Sequence, residues 1–223
     1  MDISNQVVVI TGASDGLGKA IALRLAKENV KLALLARSED KLKQLQNEIV
    51  ILGGHAEYAV CDVTNVDNIH TAIQQVTTKL GTIDILINNA GVIGWEKFEN
   101  ESFDEIEGQV GTNLLGMIKM TSASFSQIKE GIINIASRAG HLPYPGRAVY
   151  CATKFGVIGF TKSLALEYPD LRIFSVSPGA VKTEMWNFDS GVDPAKIADM
   201  IVKGWKGEIP LKDGDLNLWE IIK

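Results

Sequence analysis

Short apolar runs at residues 7–10, 31–36, 56–61, 83–87, 132–136 and 172–176 alternate with longer helical patterns at 17–28, 39–52, 66–80, 103–127 and 150–167. No other feature constrains the chain as much. Most of these runs are continuously apolar, the pattern of strands covered on both faces. A strand that passes to a helix and then to another strand builds a parallel sheet, with the connecting helices on both sides. Gly and Pro fall between the runs, where turns are needed. The expected fold is α/β: a doubly wound parallel sheet forming one domain over residues 1–223.

Ligands of such sheets bind beyond the carboxyl ends of the strands, so residues that directly follow strands carry the functional information. The first run leads into Thr11-Gly12-Ala13-Ser14-Asp15-Gly16-Leu17-Gly18 and then a helix. Glycines let the chain turn sharply and let a pyrophosphate approach the free N–H groups of the helix start. Gly12, Ser14, Asp15, Gly16, Leu17 and Gly18 are therefore expected to hold a dinucleotide in a Rossmann-type fold. Arg37 follows the second run and suits a ribose 2′-phosphate, which favours NADP over NAD. Asp15 opposes that preference, because its carboxylate lies near the same phosphate. Asp62-Val63 follows the third run, where a carboxylate accepts from an adenine amino group; Asp62 or Asn65 also suits a helix N-cap. Asn88-Asn89-Ala90-Gly91 follows the fourth and permits close backbone approach.

Tyr150 and Lys154 stand four residues apart at the start of a helical pattern, which puts both side chains on one face. A cation near a phenol lowers its pKa and makes it a usable proton donor and acceptor.

These motifs in this order resemble the short-chain dehydrogenase/reductase family. The match runs from Val7 to about Thr183 and includes the Gly-x-x-x-Gly-x-Gly spacing, Asn113, Ser137 thirteen residues before Tyr150, and Pro178-Gly179. The resemblance implies a catalytic set of Asn113, Ser137, Tyr150 and Lys154. Tyr150 would exchange a proton with the substrate oxygen. Lys154 would lower its pKa and hold the nicotinamide ribose, and Ser137 would hydrogen-bond the substrate oxygen. Asn113 would orient a water leading from Lys154 to solvent. Asn89, Ala90, Gly91, Pro178, Gly179 and Thr183 complete the implied cofactor contacts, Thr183 at the nicotinamide carboxamide.

The chain departs from the family in its tail: members commonly run to about 250 residues. The region 184–223 is expected to supply a short substrate loop and, over 216–222, a last strand. With the usual tail missing, a homodimer through the 103–127 and 150–167 helices is expected in preference to a tetramer. Ile93, Gly94, Trp95, His141, Tyr144, Met185 and Trp186 are expected to line the substrate pocket. Their apolar and aromatic character suits a small or medium hydrophobic carbonyl or alcohol. A 3-oxoacyl-carrier-protein reductase and a non-catalytic NADP(H) sensor are the alternatives.

A net charge of −5 without a basic run argues against nucleic acid and against an anionic membrane surface. The N-terminus enters its first run at Val7, leaving no room for a signal segment, so a cytoplasmic location is expected. Cys61, Cys151 and the three histidines match no metal-ligand spacing, so no metal is expected.

Overall fold

In a computed structural model that describes residues 2–186 and 190–222, seven strands form one parallel sheet in the order β3-β2-β1-β4-β5-β6-β7. The strands are β1 (Val7–Thr11), β2 (Lys31–Ala36), β3 (His55–Val60), β4 (Ile83–Asn88), β5 (Ile128–Ile135), β6 (Arg172–Val176) and β7 (Asp215–Leu216). All six expected apolar runs are strands. β5 begins earlier than expected, because its polar start Lys129-Glu130 is exposed at the edge of the core.

The sheet is buried on both faces because successive side chains of one strand point to opposite sides. Val8 and Ile10 pack with Leu32, Leu34, Ile85 and Ile133 against helices α1 (Gly16–Leu25) and α2 (Glu39–Ile51). Val7 and Val9 join Leu35, Leu86 and Ile132 on the other face, against α3 (Val66–Leu80) and Met120. The strand order reverses between β1 and β4. Loops there diverge to opposite faces and leave a crevice at the strand carboxyl ends.

Three expectations are corrected. The 103–127 segment is not one regular helix. Helix α4 (Phe103–Val110) passes through a π turn at Gly111–Gly116 into α5 (Met117–Ser124). The expected strand over 216–222 is only the two-residue β7, followed by the short helix that spans Leu218–Ile221. Most of region 184–223 is structural framework: Pro194–Lys206 forms a helix whose Ile197, Ile201 and Trp205 join the core beside Ile21 and Leu25. Arg24 ties it to α1 through Asp199 at 2.9 Å. We call these two helices α7 (Pro194–Lys206) and α8 (Leu218–Ile221), and α6 is Ala148–Glu167. Residues 187–189 and 223 of that region, and residue 1, lie outside the described residues.

A candidate active site at the strand switch point

A cleft of about 750 Å³ opens over the carboxyl ends of β1, β4 and β5. At one end the glycine loop is drawn tight by its neighbours. Thr11 Oγ1 accepts from the backbone N–H of Asn89 at 3.0 Å and of Ala90 at 3.1 Å. The Asn89 amide donates back to the carbonyls of Thr11 and Gly12. This lattice leaves no space for side chains. A Cβ on Gly18 would lie 2.1 Å from the Gly12 carbonyl oxygen, and one on Gly12, at φ +64°, would lie 2.8 Å from Ala90 Cα. The bare loop and the free N–H groups of the α1 start fit a nicotinamide dinucleotide, whose pyrophosphate needs backbone donors at close range.

Asp15 caps α1, accepting from the Gly16 amide at 2.7 Å, and pairs with Lys41 at 2.5 Å. The Lys41 hydrogen bond is the main reason its carboxyl titrates below the ordinary carboxylate range. Lys41 and Ser38 line the cleft beside Arg37. Neither was expected; the signal was their position in the first turn after β2. Asp62 accepts from the N–H and hydroxyl of Thr64, and Asn65 rather than Asp62 caps α3 by accepting from Asn68 at 3.0 Å. Val63, Ala90 and Gly91 line the cleft beside Asp62, and Pro178, Gly179 and Thr183 form the opposite wall.

Ser137, Tyr150 and Lys154 gather at the other end of the same cleft. Ser137 ends its strand run as the cap of a short turn, accepting from Ala139 N–H at 3.1 Å. Tyr150 and Lys154 rise from the first two turns of α6, with the ammonium 5.7 Å from the phenol ring centre. Lys154 is only 5% exposed and donates to the Ile135 carbonyl at 2.9 Å. Burial pulls its pKa down to about 8. The Tyr150 phenol is pushed above its ordinary value by burial, while a Ser137 hydrogen bond and the Arg147 charge pull the other way. Without a bound cofactor, desolvation is the largest influence on the Tyr150 phenol.

Asn113 does not line the cleft. It sits in the π turn, 2% exposed, and its amide holds both the N–H and the carbonyl of Val92, at 2.7 and 2.8 Å. It also donates to Thr153 at 3.2 Å, so its side chain joins the loop after β4 to α6. Behind it, Asn88 donates to Thr121 and Asn134, and Asn134 donates to Thr161, a buried polar chain across the sheet that sequence reasoning missed.

Of the expected substrate residues, Ile93, Met185 and Trp186 line the cleft. Trp95 stands outside the lining but packs on Trp186, ring centres 4.9 Å apart. Tyr144 packs with Ile93 around Tyr150. Gly94 and His141 are corrected. The Gly94 N–H is held by Gln109, and the His141 ring turns to Ser177 and to buried Asp215, at 3.0 and 3.2 Å.

A family model described as short chain dehydrogenase matches residues 6–191. The chain belongs to the short-chain dehydrogenase family. An NADP-dependent 3-hydroxy acid dehydrogenase of Schizosaccharomyces pombe is 36% identical over 196 residues, 82% of this chain and 74% of that one. A 3-oxoacyl-acyl-carrier-protein reductase of Staphylococcus epidermidis is 34% identical over 215 residues, 93% and 85% of the two chains. Among solved structures, an actinorhodin polyketide ketoreductase variant with NADPH superposes with a TM-score of 0.89 at 28% identity, covering 96% of this chain and 95% of that one. As a short-chain dehydrogenase the protein is a nicotinamide-dependent oxidoreductase of CH–OH and carbonyl groups. Among the described residues of this family member, no helix is long and apolar enough to cross a membrane, and no cluster of three or more His, Cys, Asp or Glu could hold a metal.

Proposed function

We propose that the protein transfers a hydride between NADP(H) and a small or medium hydrophobic carbonyl or alcohol, with Tyr150 as proton donor and acceptor. The convergence of Ser137, Tyr150 and Lys154 at one end of a cleft that begins at the glycine loop carries this reading. The cofactor supplies or accepts the hydride when bound. Gly12, Ser14, Asp15, Gly16, Leu17 and Gly18 hold its pyrophosphate end, with Asp62, Val63 and Asn89–Gly91 along the middle. Pro178, Gly179 and Thr183 back the nicotinamide.

The chemistry assigned to the protein is modest and local. Ser137 hydrogen-bonds the oxygen on which charge develops, and Tyr150 donates the proton it needs, or accepts it in oxidation. Lys154 holds the ribose hydroxyls and, once protonated, stabilises the phenolate. Asn113 acts by fixing Val92 against α6. Burial around Tyr150 keeps water from competing for the proton. Ile93, Trp95, Tyr144, Met185 and Trp186 form the apolar surroundings of the substrate.

For NADP, support comes from Arg37, which makes no ion pair among the described residues, and from the NADP-dependent relative. Reduction of 3-oxoacyl groups on a carrier protein is the second reading, favoured by the Staphylococcus epidermidis relative. A net charge of −5 weakens it, since an acidic carrier needs a basic docking face.

Replacing Tyr150 with Phe tests the assignment. Carbonyl reduction across a panel of substrates should fall to near background while NADPH still binds; unchanged turnover, or a binder with no turnover in wild type, overturns it. A homodimer is proposed through α4, α5 and α6, where Phe103 and, in the π turn, Leu115 are exposed together with Phe155 and Leu166 of α6. Sedimentation should give twice the chain mass, and a monomer at all concentrations refutes it.

A further inference from the structure

The chain has five arginines, and their partners divide by location. Those remote from the cleft are engaged within the fold: Arg24 pairs with Glu28 and Asp199, and Arg172, though its Nε is buried without a partner, donates to the Gly204 carbonyl. Arg37, Arg138 and Arg147 have neither a hydrogen bond from their guanidinium nor an ion pair among the described residues, although the sequence holds 27 acidic residues. Arg37 is at the proposed phosphate end. Arg147 is at the opposite end, three residues before Tyr150, at the N-cap of α6.

Its guanidinium packs against two indoles, 4.2 Å from the Trp95 ring centre and 4.5 Å from that of Trp186, whose own centres are 4.9 Å apart, and it stands just outside the cleft lining. The Tyr144 ring is 5.7 Å away. Trp186 itself forms cleft wall. Aromatic rings attract a guanidinium without occupying its N–H donors, so those donors stay available to a ligand. Holding the group this way removes much of the rotamer freedom that an arginine loses on binding. A partly buried guanidinium that is held by aromatic rings, lacks an acidic partner among the described residues and stands three residues before Tyr150 is suited to a planar anion, which it binds through two parallel hydrogen bonds.

We propose that Arg147 receives a carboxylate of the substrate, so that the natural substrate is a hydroxy or oxo acid whose apolar body rests against Ile93, Met185 and Trp186. This deepens the hydride-transfer reading above and rests on it. The carboxylate itself is unchanged in the reaction. In oxidation with NADP⁺ the hydride leaves the carbinol carbon, the hydroxyl proton passes to Tyr150, and the acid becomes an oxo acid. The positive charge beside the phenol also favours its ionised form, which serves proton acceptance.

The test pairs 3-hydroxyhexanoate with its methyl ester, each oxidised with NADP⁺ by wild type and by Arg147→Met. Methionine keeps an apolar stem against the indoles without the charge. Wild type should prefer the acid, and the variant should lose about 10- to 100-fold of the acid-to-ester ratio in kcat/KM, mainly through KM. Arg147→Lys should recover only part of it, because an ammonium lacks the planar fork. A wild-type preference for the ester, or a ratio unchanged in Arg147→Met, overturns the proposal. Hexanoate, which cannot react, gives a separate readout by calorimetry on the NADP⁺-loaded protein. Binding to wild type that is lost in Arg147→Met supports the site even where no alcohol turns over, a result that would count against the hydride reading alone. Equal binding to both, or none to wild type, overturns the site.

Discussion

The buried ammonium of Lys154 has a measurable consequence for stability. In the folded chain without cofactor it titrates at about 8, against an ordinary value of 10.5. Between those values the unfolded state binds more protons than the folded state, so stability rises with pH through that window. The penalty of burying the charge is fully present below the folded value and disappears above the unfolded one. Its total is about 3 kcal/mol, of which about 1 kcal/mol is relieved between roughly pH 7 and pH 9. Cys61 works in the opposite direction. Burial pushes its thiol from 9.0 up to about 11, so the unfolded thiol ionises first. That removes about 0.4 kcal/mol by roughly pH 9. Tyr150, also raised, takes stability away only near and above the ordinary tyrosine value. Comparison with Lys154→Met cancels both. Urea unfolding of the two proteins, without added cofactor and at constant ionic strength, is the assay. The stability of wild type relative to Lys154→Met should improve by about 1 kcal/mol from roughly pH 7 to pH 9. Parallel pH profiles would mean that Lys154 titrates normally, and would refute the desolvation argument.

Two further outcomes concern the nucleotide end. Asp15→Asn frees Lys41 beside Arg37, so NADPH should bind more tightly by about 3- to 10-fold, with little change for NADH, when dissociation constants are measured by fluorescence; an equal gain for both cofactors contradicts the placement of the 2′-phosphate. Gly18→Ala drives a methyl into the Gly12 carbonyl and the Asn89 amide, and should cost at least about 1–3 kcal/mol and abolish cofactor binding. A variant with wild-type melting and affinity would show that the loop is looser than described.

The strands were legible because each is a run of β-branched and aliphatic residues bounded by turn residues, and the sheet's burial on both faces makes those runs continuous. Of the proposed catalytic residues only Ser137 follows a strand end; Tyr150 and Lys154 were legible from their four-residue spacing on one helix face. Helix α7, which the sequence reading omits, carries its signals openly. Asp193 caps it by accepting from Ala195, Pro194 opens it, and Gly207 closes it at φ +80°. The misread tail is a different case. Leu216-Asn217-Leu218 alternates like a strand, yet Trp219 leaves the sheet direction to lie against Gly179, and only tertiary packing decides that. What stayed hidden in the site was partnership and burial. Nothing in the spacing shows that His141 turns to Asp215, that Asn113 is spent on Val92, or that the lysine beside Tyr150 is desolvated.

The π turn at Gly111–Gly116 also sets a phase. An α-helix advances about 100° per residue, and a π turn takes up one residue more than the regular helix would. Deleting one residue from the regular helix that follows, where no π turn takes up the change, would rotate everything after it by about 100°. Met120, buried at 0% exposure, would swing toward solvent or into the neighbouring helices. One surplus residue thus keeps two faces of a single rod in step: the upstream face that grips the cleft loop and the downstream face that seats in the core. Length changes in the regular parts of this helix should be tolerated only in compensating pairs.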